Sequence, residues 1–205
     1  MSSKELLGSF NVSRETMQRL DVFEKVIHKW NPKINLVSRS SIDQLWDRHI
    51  ADSIQVFRCV STPNRWLDIG SGGGFPGLVV AILAADEVPE MKVTLIESDQ
   101  RKSAFLRTAA RECGVSLSVI SGRIEQVEPQ NANVLSARAL ASLDDLLEYA
   151  DRHLAADGIA VFPKGQNWKK EVDNTRQRWR FEMEAAKSLT EPEAVVLKIR
   201  GVERV

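Results

Sequence analysis

The chain of 205 residues is 43% hydrophobic and 27% charged, a composition that supplies a sizeable core and excludes both a disordered chain and a mini-protein held by staples. Lysine plus arginine equals aspartate plus glutamate at 28 each, so no global field draws the protein to nucleic acid or to an anionic membrane, and such binding must come from a local patch. Cys59 and Cys113 lack the paired spacing of a zinc site or disulfide framework and read as buried thiols in a reducing compartment. Met1 to Ser9 shows no basic stretch leading into an apolar core, and the nearly apolar run Gly77 to Ala85 is less than half the ~20 residues a membrane helix needs. A cytoplasmic protein without a membrane partner is expected.

Residues 1–60 read as a helical extension. Ser13 can cap a helix whose Met17, Leu20, Phe23, Ile27 and Trp30 recur at three- and four-residue spacing, and Asn31-Pro32 is expected to stop it. A second start is expected at Ser41, with Gln44 completing a capping box and Ile42, Leu45, Trp46, Ile50 and Ile54 forming an apolar face. After the breakers Ser61 to Asn64, residues 61–205 alternate between strand and helix: strand Arg65 to Ile69, helix Phe75 to Leu83, strand Met91 to Ile96, helix Asp99 to Glu112. Strands at Ser116 to Ile120, Asn133 to Ala137 and Gly158 to Phe162, and a helix Leu143 to Leu154 capped by Ser142, complete five parallel strands. Arg180 to Ala186 and Ala194 to Arg200 are joined by a link too short for a crossover, so they should pair antiparallel. The outline resembles the Rossmann-like, seven-stranded α/β sheet of class I methyltransferases.

Between the first strand and the next helix lies Asp68-Ile69-Gly70-Ser71-Gly72-Gly73-Gly74-Phe75-Pro76-Gly77. So many glycines between two buried elements point to a ligand approaching the backbone. Gly72, Gly74 and Gly77 satisfy the dinucleotide fingerprint formally, which leaves a nicotinamide oxidoreductase as one reading. Asp68, two residues before Gly70, instead resembles the acid of the motif in S-adenosylmethionine enzymes, with Gly70, Gly72 and Gly74 in register; a pyrophosphate would be repelled by it. Glu97, at the end of the second parallel strand, can accept both ribose hydroxyls, or alternatively cap the next helix beside Asp99. Ile124 and Glu125, after the third strand, stand where an adenine edge would meet backbone groups, although Glu125 can also be read as a surface charge.

These residues, with His28-Lys29-Trp30-Asn31, Arg48-His49-Ile50-Ala51-Asp52-Ser53, Ser136-Ala137-Arg138-Ala139 and Lys164-Gly165, closely resemble the bacterial ribosomal RNA small subunit methyltransferase G family, also called glucose-inhibited division protein B. Gly73 stands where the family often has Pro, and Phe75 where it often has Leu. The resemblance implies S-adenosylmethionine as cofactor, contacts to it from Gly70, Phe75, Ile124, Glu125 and Arg138, and methylation of N7 of a specific guanine, position 527 of 16S ribosomal RNA. The implied partner is that RNA, in the small subunit or its assembly intermediate; no obligate protein partner is evident.

Guanine N7 offers an in-plane lone pair and no proton, so its methylation asks for alignment rather than a general base. Ser136-Ala137-Arg138-Ala139 contains neither the amine-holding Asp/Asn-Pro-Pro-Tyr nor the nucleophilic cysteine that other base methylations use. Arg138, with Arg123 expected nearby, is read as positioning the target base, the alternative for each being an internal ion pair. From Lys164 to Arg180 six basic residues, among them Lys164, Lys169 and Lys170, face two acids, with Trp168 and Trp179 interleaved. This segment can grip phosphate and stack a base, or it is a solvated helix packed on the sheet. The three histidines lack metal-ligand spacing and His49 reads as packed, so no metal is implied. A small-molecule methyltransferase and a non-catalytic, nucleotide-sensing RNA-binding module remain alternative functions.

Overall fold

The computed structural model describes residues 10–38, 40–61 and 63–205. The leader reading of Met1 to Ser9 and the linker position Thr62 lie outside them. Helix α1, Arg14–Ile34, begins as expected, the Ser13 hydroxyl accepting from the Thr16 N–H at 3.1 Å, and buries Leu20, Phe23 and Ile27. It does not stop at Asn31-Pro32. Pro32 falls in the last turn, where its missing N–H costs one bond near a helix end, and the helix closes at Asn35, which is left-handed (φ 50°) and donates to the Asn31 carbonyl. The Asn31 side chain accepts from the N–H groups of Leu36 and Val37 at 2.7 and 2.9 Å, turning the chain.

Ser41 makes no helix cap: its hydroxyl donates to the Ser38 carbonyl, and the chain passes through a 3₁₀ turn, Ile42–Gln44, and a wide π turn, Trp46–Ile50, before helix α2, Ala51–Arg58. The π turn shifts the register by one residue, a local irregularity often found at functional sites. Here it carries Arg48 and His49.

The alternating segments are β1 (Arg65–Ile69), α3 (Gly77–Glu87), β2 (Lys92–Glu97), α4 (Gln100–Glu112), β3 (Ser118–Ser121), β4 (Ala132–Ser136), α5 (Leu143–His153), β5 (Leu154–Lys164), α6 (Trp168–Thr175), β6 (Trp179–Lys187) and β7 (Val195–Arg204). Among the described residues they form one seven-stranded sheet in the order β3-β2-β1-β4-β5-β7-β6. The strands β1 to β5 pair parallel, and β7 is inserted antiparallel between β5 and β6. This is the class I methyltransferase arrangement.

Alternation along β1 divides the core. Trp66 faces one cluster with α1, α3 and α4, including Phe23, Leu78 and Phe105; Leu67 and Ile69 face the other with α5, including Leu147, Phe162 and Trp179. Strand order reverses at β1, flanked by β2 and β4, so a crevice opens at the carboxyl ends of these strands. Cys113 is buried, its thiol pushed up to about 12 chiefly by desolvation, whereas Cys59 is only half-buried.

Candidate functional site

Asp68 leaves β1 directly opposite Ser136 of β4 in the parallel register. The indole N–H of Trp66 donates to the Ser136 hydroxyl at 2.9 Å, which donates to Asp68 Oδ1 at 2.7 Å. Asp68 Oδ2 is buried without a partner among the described residues. Burial pushes this carboxyl up to about 6, against the opposing effects of Ser136 and its other neighbours. The carboxylate lies beneath α3: a Cβ on Gly77 would come within 2.6 Å of Asp68 Oδ2, so this close approach requires glycine.

Above it, the loop turns through left-handed backbone at Gly70, Gly72 and Gly74. Gly70 and Ser71 donate to the Ile96 carbonyl at 2.9 and 3.2 Å, tying the loop to β2. Glu97, 7% exposed, holds it from below, one carboxylate oxygen accepting from the Gly72 N–H and the other from the Asp99 N–H, each at 2.8 Å. The helix-supporting reading of Glu97 is met, since it holds the start of α4, for which Asp99 is the N-cap, and its side chain also lines the cleft over the loop.

Two clefts meet beside this loop, sharing Ala139 and Ala141. One, about 400 Å³, is lined by Gly70, Gly72, Ile96, Glu97, Arg123, Ile124, Glu125 and Tyr149. Tyr149 donates to Glu125 at 2.7 Å, and this bond lowers the carboxyl and raises the phenol to about 12. His153 contacts the Ile124 carbonyl at 3.1 Å, anchoring the same turn. Apolar isoleucines, fixed carboxylates and bare loop backbone in a small-ligand volume fit a nucleoside with a charged tail. The second cleft, about 710 Å³, is lined by Arg48, Asp52, Arg138, Lys164, Glu171 and Glu191. Ala139 and Ala141 line both clefts, and Leu140 between them lies against Gly70, where an added Cβ would meet it at 2.4 Å.

Arg138 stacks on the Phe75 ring at 5.2 Å, donates to the Arg48 carbonyl at 3.1 Å and bonds to His49 Nδ1. Because guanidinium only donates, His49 Nδ1 accepts and the ring hydrogen sits on Nε2. Burial, reinforced by Arg138 and Arg48, lowers His49 to about 3. His49 is thus a packed, neutral orienting residue stacked on Phe75 at 5.1 Å. Neither Arg138 nor Arg123 pairs with a carboxylate among the described residues, and the two line different clefts: Arg123 is exposed on the smaller one.

The basic segment divides in the same way. Lys164 is 9% exposed and paired with Glu171 at 2.7 Å, so it belongs to the cleft wall. Arg178 pairs with Asp144, and Arg176 stacks on Phe181. Lys169 and Lys170 are exposed on α6. Trp179 is 1% exposed with its N–H on Asp144, so the expectation that it stacks a base is corrected: it is core. Trp168 is partly buried, with Lys169 over its ring.

Sequence reasoning did not single out Asp52 or Thr190. Asp52 accepts from the Thr190 hydroxyl across 138 residues, and Gln55 accepts from Leu189 and donates to the Lys187 carbonyl. Arg48 pairs with Glu191 on the same β6–β7 link. The only signal was the Arg48-to-Ser53 run.

Residues 16–198 match the family model described as rRNA small subunit methyltransferase G. A ribosomal RNA small subunit methyltransferase G of Ruegeria sp. (strain TM1040) is 66% identical over 195 residues, 95% of each chain. Its counterpart in Cereibacter sphaeroides (strain ATCC 17029) is 50% identical over the full length of both. Among solved structures, a TehB-like SAM-dependent methyltransferase from Corynebacterium glutamicum superposes with a TM-score of 0.58 at 15% identity, covering 87% of this chain and 97% of that one, a likeness of fold.

Proposed function

The chain belongs to the rRNA small subunit methyltransferase G family and is an S-adenosylmethionine-dependent methyltransferase; from that premise we propose that it methylates N7 of guanine 527 in 16S ribosomal RNA. The observation that carries this reading is the junction at Ala139–Ala141, where a nucleoside-sized cleft over the glycine loop meets a larger cleft walled by a fixed arginine. A ribosomal RNA substrate implies the cytoplasm as the compartment and the small subunit or its precursor as the partner.

Glu97 would hold the cofactor ribose, the Gly70, Gly72 and Gly74 backbone with Phe75 the amino-acid portion, and Ile124 with Glu125 the adenine; Asp68 acts from beneath through the loop. The bound cofactor supplies a methyl group on a positively charged sulfur. Transfer of that methyl to the N7 lone pair would require no proton to leave the base and would make the purine cationic. What the chain must do is align. Arg138, held by Arg48 and His49 and over the Phe75 ring, has donors left for the guanine O6 adjoining N7. A neutral His49 with its acceptor already engaged fits a reaction without base catalysis. Small-subunit RNA carrying 7-deazaguanine at the target position should accept no methyl group, while unmodified RNA is methylated; equal transfer to both would reject N7.

Two variants separate the surfaces. Glu97→Gln should weaken S-adenosylhomocysteine binding by ~1–3 kcal/mol, the range for a charge-assisted hydrogen bond, with RNA affinity unchanged; calorimetry reads it. Lys169 and Lys170 stand exposed on α6, whose Glu171 lines the larger cleft. Replacing both with Ala should leave cofactor affinity intact and flatten the salt dependence of RNA binding by roughly 0.7–0.9 per lost phosphate contact. An unchanged slope would put the RNA elsewhere, with the helical extension and its Lys29, Lys33 and Arg48 the next surface to test.

A further inference from the structure

The larger cleft contains four carboxylates in its wall. Glu171 is spent on Lys164 and on the N–H of Leu143, Glu191 is paired with Arg48, and Glu193 is exposed at the rim. Asp52 differs: among the described residues it has no cation within salt-bridge distance, and its recorded hydrogen bond comes from the Thr190 hydroxyl to one oxygen. A carboxylate oriented by a hydroxyl in a cleft, with Arg138 and Arg48 close enough to act on its charge but not bonded to it, is placed to accept from a ligand.

We infer that Asp52 reads the Watson–Crick edge of the target guanine, its carboxylate accepting from N1–H and from the N2 amino group. This rests on the guanine-N7 reading. Around the guanine ring the order is N7, O6, N1, N2. Arg138 contacts Phe75 of the glycine loop and also Arg48 and His49, from which Asp52 follows within one turn. The chain therefore offers the methyl-donor side, a cation and a carboxylate in the order the base demands: N7 toward the donor cleft, O6 on Arg138, N1 and N2 on Asp52. Adenine presents an acceptor at N1 and no amino group at C2, so it would leave the carboxylate unpaired. The contact also gains strength during the reaction, because methylation at N7 makes the ring cationic and its N1–H a better donor, so the benefit falls on the transition state.

The test is a two-by-two comparison of kcat/KM on small-subunit RNA with guanosine or inosine at the target, inosine lacking only the N2 amino group. The wild type should lose about 10–100-fold on inosine, since a carboxylate oxygen desolvated by the bound base is left unpaired. Asp52→Asn should already be reduced about 10–100-fold on guanosine and show less than about a threefold further loss on inosine. Thr190→Val, which removes the latch and keeps the carboxylate, should retain the wild-type guanosine-to-inosine ratio even if less active, so misfolding is distinguishable from lost recognition. If Asp52→Asn keeps the wild-type ratio, or if Thr190→Val abolishes it, Asp52 only fastens the β6–β7 link and the inference is wrong. Absence of N7-methylguanosine from wild type on guanosine RNA would overturn the underlying reading, and this one with it.

Discussion

Arg138→Ala is expected to lower kcat/KM for RNA methylation by about 10²–10³-fold, the scale for removing one preorganised donor from a reacting group. The expectation follows from how the side chain is held. Its terminal nitrogens reach the Arg48 carbonyl at 3.1 Å and His49 Nδ1, and its Cζ stands over the Phe75 ring. A guanidinium restrained on two sides loses little entropy when it meets a substrate oxygen. Arg138→Lys should rescue poorly, because an ammonium keeps the charge but not the fork. Affinity for S-adenosylhomocysteine should fall by less than about tenfold, consistent with a base-positioning role greater than its cofactor contact. An equal fall in cofactor affinity and turnover would assign Arg138 to the cofactor alone.

A large, pH-dependent stability effect is expected at Asp68. Its folded value of about 6 lies above the ordinary 3.8, so the folded chain binds this proton more tightly than the unfolded chain does. The stabilisation is complete below about pH 4 and is lost as pH rises through about 6. Its size is on the order of 3 kcal/mol for a shift of about two units. Asp68→Asn keeps an acceptor for Ser136 and cannot ionise. Relative to this variant, the cofactor-free wild type should lose stability between pH 4 and pH 6.5, read as the difference in urea midpoints. The comparison is needed because His49, lowered to about 3, acts with the opposite sign: its contribution is present above the ordinary histidine value and lost as pH falls. A constant difference between wild type and Asp68→Asn would mean that Asp68 titrates normally.

The elements governed by local chemistry were legible. The bounds of β1, the Ser13 and Ser142 caps, the glycine loop and the antiparallel end all follow from periodicity, capping and link length. Expectations failed where local rules met tertiary ones. Pro32 is absorbed because it falls in the last turn, where its missing N–H costs a single bond near the helix end, and Ser41 caps nothing because Ser38 captures its hydroxyl. Trp179, read among cations, is buried because it packs in the same cluster as Leu147 and Phe162 and Asp144 satisfies its indole. In the site, the residues along one loop or strand end could be named from sequence: Asp68, Gly70 to Phe75 and Glu97. The target cleft could not be assembled, since Arg138 meets His49 across 89 residues and Asp52 meets Thr190 across 138. Nor does spacing show that Arg123 and Arg138 fall on opposite sides of Leu140, or that Lys164 is neutralised by Glu171.

The most direct measurement is chemical mapping of the product. Small-subunit RNA lacking the modification is incubated with the protein and S-adenosylmethionine, then reduced and cleaved with aniline, which breaks the chain at N7-methylguanosine because the cationic ring is labile. A single new cleavage at guanine 527, dependent on both enzyme and cofactor, is the expected result. Methyl groups found instead on an exocyclic nitrogen, a ribose or a ring carbon, with no cleavage at that guanine, would contradict the account.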